Sequence, residues 1–181
     1  YYQNMHEIMR DLFKLTLSHI KDKSLFKFVA NFWSIVAEKE HEIGYKKSKR
    51  FTLGVIPYIM KYLLPIPFSD ISSQSNCNPD DPNDYTQIPN ITENCLNKLS
   101  LCEPDTMFVI LSEYFDSHKE NTMQNNRLSF LIAFRCIISI PDLSSTEIEF
   151  IGQNLDFIFE FANKENDNVN QSKIIEYLTN K

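Results

Sequence analysis

The 181-residue sequence predicts an all-α fold, an α-solenoid of about four HEAT-type repeats. Three observations point there. Apolar residues recur at helical spacing along nearly the whole chain, no alternating strand pattern is found, and turn motifs recur at the length of a two-helix unit. The pair Lys119-Glu120-Asn121 and Lys164-Glu165-Asn166 lies 45 residues apart, and the prolines of CEPD (Pro104) and SIPD (Pro141) lie 37 apart. An antiparallel helix pair cannot bury both faces alone, so such units stack.

Taken in order, Tyr1 to Ile20 is periodic through Ile8, Leu12, Leu15 and Ile20. Ser24 to Glu42 places Leu25, Phe28, Val29, Phe32, Trp33 and Val36 on one expected apolar face, with Trp33 in the core. Phe51 to Leu64 follows with Ile56, Ile59, Met60 and Leu63, and Pro57 kinks it or sits in its first turn. The stretch 65–87 has no helical pattern. Helices are then expected over Ile88–Cys102, Pro104–His118, Thr122–Ile140, Ser145–Ala162 and Asn168–Leu178. These eight helices divide into repeats at 1–44, 51–102, 104–140 and 145–181, the second carrying the insertion 65–87.

Composition narrows the function classes. A chain of this size can bury roughly 70% of its unfolded surface. Three glycines argue against a dinucleotide-binding sheet, and a net charge of −6 argues against nucleic acid as partner. Four separated cysteines form no CxxC pair, and three of them fall in apolar helical patterns as small hydrophobes, so a reducing, intracellular compartment is the simplest reading. The run FTLGVIPYIMKYLLPIPF is broken by Lys61 and three prolines, so no membrane insertion is expected. No signal-peptide pattern is present, the sequons at Asn90 and Asn170 are given no weight, and a first residue other than methionine reads as an excised fragment.

The segment SNCNPDDPNDY, Ser75 to Tyr85, is the one anomaly. No Lys or Arg stands between Lys61 and Lys98, whereas Asp70, Asp80, Asp81, Asp84 and Glu93 bring five negative charges. Such a block attracts a basic partner and speeds encounter. A calcium loop is disfavoured, because the turn glycine is missing and prolines interrupt the ligand spacing. A solvated insertion is the plain alternative, since surface loops lengthen at small cost. KKSKR, Lys46 to Arg50, has the composition of a nuclear-localisation or nucleic-acid patch but reads as a solvated connector between repeats.

These features together resemble the importin-beta family of HEAT-repeat nuclear import receptors. YYQNM at Tyr1 resembles that family's YYQYM, and FWSIVAEKE at Phe32 its FWS-V-(C)-DEE segment. The insertion ending NDYTQ, followed by Cys95-Leu96 and CEPD, is similar to its acidic loop, DW pair and CL…C-ED helix. IAFRCI at Ile132 is similar to its MAFGCI. The matches keep their order over nearly the whole chain and weaken at NQSKIIEYL.

The resemblance implies the middle of a longer superhelix, shuttling between cytoplasm and nucleus. Its inner helices face basic cargo, or an importin-alpha-type adaptor, and the GTPase Ran; its outer helices meet FG nucleoporins. It assigns Asp80, Asp81, Asp84 and Tyr85 to the Ran- and cargo-contacting acidic loop, Tyr85 standing where the family has Trp. It places Glu38, with Glu40 beside it and Asn31 where the family has Glu, on the inner helices. Ile8, Leu12 and Leu15 become candidates for FG contact, and Arg127 a structural residue of the repeat ladder whose usual Asp neighbour is Leu128. The bland readings are a solvated EKEHE helix end and ordinary packing between repeats.

Catalysis has no local signature: His6, His19, His41 and His118 form no HExxH pair, and no phosphate loop, GxSxG or GxGxxG occurs. The chain reads as a binding protein without enzyme activity or cofactor. A HEAT scaffold for protein complexes, such as a phosphatase scaffold, is the alternative.

Overall fold

The computed structural model describes residues 2–20, 22–44, 50–64, 88–119 and 127–163. Among them are seven α-helices and no strand: α1 (Tyr2–His19), α2 (Lys23–Ile43), α3 (Phe51–Leu63), α4 (Ile88–Cys102), α5 (Pro104–His118), α6 (Arg127–Ile138) and α7 (Ser145–Asn163). The expected helix Asn168–Leu178 and the insertion 65–87 lie outside the described residues.

Sequence-adjacent helices meet, and so do alternate ones. α2 lies along α4 in the most extensive contact, and α4 continues onto α6; on the other side α1 touches α3 and α3 touches α5. Two rows of helices therefore share one core, built from Phe26, Trp33, Ile56, Met60, Leu96, Leu99, Met107, Leu111, Phe134 and their neighbours.

Local chemistry sets the helix starts. Pro104 occupies the first turn of α5, where its missing N–H costs nothing. Ser144 and Glu147 form a capping box at α7: the Ser144 N–H donates to Glu147 Oε2 at 2.6 Å, and the Glu147 N–H donates to Ser144 Oγ at 3.4 Å. The two Pro-Asp turns, alike in sequence, differ in shape. Pro104-Asp105 opens a helix, whereas Asp142 takes φ 54 in a turn and α7 starts only at Ser145. Pro57 sits in the middle of α3, on its exposed side, opposite buried Ile56, Ile59, Met60 and Leu63.

The buried faces of the first two helices are rotated from expectation. In α2 the buried stripe is Phe26, Ala30, Trp33, Ala37 and Glu40, while Phe28 is 67% exposed. Ala30 and Ala37 let the helix seat closely in the core, which the bulky side would not. In α1 the packed residues are Met9, Phe13 and Thr16, with Ile20 just past its end; Ile8 and Leu15 face solvent. Thr16 is buried because it serves Trp33, whose indole Nε1–H donates to Thr16 Oγ1 at 2.9 Å. A buried indole needs such an acceptor.

An aromatic cluster holds the C-terminal helices. Phe115 stacks on Phe130 at 4.4 Å, and Phe150 and Phe157 of α7 meet it edge-on at 6.1 and 6.4 Å. Cys95, Cys102 and Cys136 are buried free thiols, and burial pushes the Cys95 thiol up to about 12, far from thiolate chemistry. Phe115→Ala opens a cavity at the centre of three helices; it should cost about 3–5 kcal/mol in urea unfolding.

Candidate interaction surface

The predicted site residues part company in three dimensions. Asn31 and Glu38 lie on one solvent-facing stripe of α2, and the same stripe carries Phe28 and Ile35, 67% and 57% exposed. The 3.6-residue period aligns positions 28, 31, 35 and 38. Sequence reading assigned Phe28 to the core and passed over Ile35. The signal that would have found them is the small-residue stripe of Ala30 and Ala37 on the other side.

On α4 the neighbouring exposed or half-exposed positions are Asn94, Lys98 and Leu101, and on α6 Leu131, Arg135 and Ile138. Polar bonds lace the three helices together. Asn94 Nδ2 donates to Ser34 Oγ at 3.2 Å, Lys98 Nζ meets Glu38 at 2.5 Å, and Arg135 Nε meets Glu93 at 2.9 Å. The hydrogen bond and charge of Lys98 hold the Glu38 carboxyl below the usual carboxylate range. Glu93 goes the other way. Burial raises it, and Arg135 only partly opposes that. Two pairs of opposite charge thus cross the seams between these helices, Glu38 with Lys98 and, more deeply buried, Glu93 with Arg135.

Glu40, expected to meet a partner, is instead 3% exposed and structural. Its carboxylate accepts the Phe51 N–H at 2.6 Å, the Thr52 N–H at 3.2 Å and the Thr52 hydroxyl at 2.5 Å. The first amides of a helix have no intrahelical acceptor, and Arg50 at the N-cap supplies no side-chain bond there. A carboxylate from the preceding helix does that work, favoured also by the helix dipole. Arg50 likewise is no solvated connector: its guanidinium bonds the Cys102 carbonyl and the buried Glu103 carboxylate, at 3.0 Å for the latter. The rest of KKSKR, residues 46–49, lies outside the described residues.

Of the other candidates, Ile8 and Leu15 are exposed on α1 and Leu12 is half-buried between them. Trp33 is buried, as described above. Arg127 opens α6, and its side chain lies outside the described residues, as do Asp80, Asp81, Asp84 and Tyr85. Among the described residues no group of His, Cys, Asp and Glu could hold a metal ion, and no helix is long and apolar enough to cross a membrane.

Glu40→Ala should destabilise the fold by about 1–3 kcal/mol, and Glu40→Gln by less, because the amide keeps one acceptor; urea unfolding reads both. Glu93 gives a pH test. A carboxyl raised in the native state adds stability that is complete below its unfolded value, near 4.5, and is lost as pH rises through the native one. Glu93→Gln removes that slope, so its stability relative to the parent should improve as pH rises from about 4 to 7.

No known protein family, curated protein or solved structure matches this chain.

Proposed function

We propose that the chain is a segment of a HEAT-type α-solenoid within a nuclear import receptor of the importin-beta kind. It binds basic import signals or an importin-alpha-type adaptor, the GTPase Ran, and FG nucleoporins. The observation that carries this reading is the two-row stacking of alternate helices, α1–α3–α5 and α2–α4–α6; in the sequence, residues 65–87 fall between α3 and α4. Stacked helix pairs build extended faces for protein partners. The ordered matches YYQNM, FWSIVAEKE, NDYTQ with CEPD, and IAFRCI support the transport assignment.

In this reading the α2 stripe of Phe28, Asn31, Ile35 and Glu38 supplies apolar and polar contact. Asp80, Asp81 and Asp84 supply the attraction for basic segments, because Glu38 and Glu93 already pair with Lys98 and Arg135. Ran and cargo share that face, so each weakens the other's binding. Ile8, Leu12 and Leu15 on α1 offer the apolar contact for FG segments.

The charge pairing also favours a second reading, a HEAT scaffold that joins proteins through Phe28 and Ile35 without transport. A pull-down by the intact receptor with Ran-GTP and with a basic import-signal peptide, at low and high salt, separates the two. The receptor reading expects binding of both that weakens with salt. It expects a roughly tenfold loss when Asp80, Asp81 and Asp84 are all changed to Asn. Binding of neither ligand, or no effect of that triple change on either, overturns it in favour of the scaffold.

A further inference from the structure

α7 contains a glycine that the fold does not use. Gly152 lies near the middle of the helix and is exposed; its φ is not in the left-handed region, and a Cβ added there would meet nothing within 4 Å. Glycine is disfavoured against alanine in a helix interior, and neither a turn nor a close internal contact repays that here.

Its surroundings show what an outside contact would find. Ile148, one turn before Gly152, is 58% exposed, and Phe159, two turns after, is 54% exposed. Asp156 is exposed one turn beyond the glycine, and Glu149 lies on the same side, accepting the Gln153 amide at 3.1 Å. The opposite side of α7 is the packed one, with Phe150 and Phe157 against Phe108, Phe115 and Phe130. The helix has carboxylates at Glu147, Glu149, Asp156 and Glu160, and no Lys, Arg or His.

The geometry points to a docking surface for a basic amphipathic segment of another protein, separate from the α2–α4–α6 face. Aliphatic side chains of that segment rest on Ile148 and Phe159, its backbone approaches over the bare ridge at Gly152, and its Lys or Arg residues meet Glu149 and Asp156. Charge selects this occupant. A second copy would set acidic α7 against acidic α7 in a chain of net charge −6, which like-charge repulsion opposes. A basic partner meets complementary charge around an apolar centre.

The test uses the full chain and a fluorescein-labelled amphipathic helix of leucine and lysine, with a scrambled peptide of equal charge as control. Fluorescence anisotropy should show tighter binding of the amphipathic peptide. Gly152→Gln should weaken that binding roughly tenfold while leaving Tm unchanged or raised, since Gln is the better helix former. Ile148→Ser with Phe159→Ser should weaken it similarly at constant Tm, and Val109→Ser, at an exposed position of α5, should leave it unchanged. Equal binding of the scrambled peptide, or an unaffected Gly152→Gln, overturns the proposal. So does a fall in Tm for the double variant without peptide, which would mean that the chain's own residues cover this face. A dimer that the double variant dissociates in sedimentation would make the occupant a second copy and overturn it equally.

Discussion

The fold depends on how the beginning of α3 is satisfied. A helix that starts in a packed junction presents amide donors that water cannot reach, and leaving them unmet costs more than most single contacts return. Glu40 meets this demand from the end of α2, taking two backbone N–H groups and the Thr52 hydroxyl. One residue before α3, Arg50 reaches the Cys102 carbonyl and Glu103, where α4 ends and α5 begins. Four helix ends thereby meet at one polar junction, with Thr52, Cys102 and Glu103 almost wholly buried. Burying charges there is tolerable because each has a partner with directional bonds.

The same economy of charge shapes the exposed side of the even-numbered helices. Lys98 of α4 pairs with Glu38 of α2, and Arg135 of α6 with Glu93 of α4, so the pairs run across seams and not along single helices. That arrangement ties α2 to α4 and α4 to α6 through two pairs of opposite charge. The same side of α2 also exposes Phe28 and Ile35.

Much of the architecture was legible in the residues. Helical periodicity located the described helices to within about two residues, apart from the start of α6, expected at Thr122 and described from Arg127, because a 3.6-residue repeat of apolar side chains is a local property of the chain. Which side of each helix is buried was less legible. Leu25, Phe28, Val29, Phe32, Trp33 and Val36 make a plausible apolar stripe on α2, yet the core takes Ala30 and Ala37 and leaves Phe28 outside. Hydrophobicity alone prefers the larger side chains, whereas close helix approach prefers the smaller. The candidate site suffered for the same reason: Asn31 and Glu38 kept their exposure, but Glu40, two residues on, turned inward.

By itself, then, the sequence determined that the described residues are helical, the order and approximate limits of those helices, and the burial of Trp33. All of these follow from composition and from spacing within one helix. Only the tertiary structure decided that Glu40 and Arg50 are junction residues and that Glu93 pairs with Arg135. It also decided that Phe28 and Ile35 flank Asn31 on an open stripe and that Gly152 lies bare. Those outcomes depend on which helix end or face lies opposite, and a carboxylate that caps a distant helix reads, in the linear chain, the same as one that faces water.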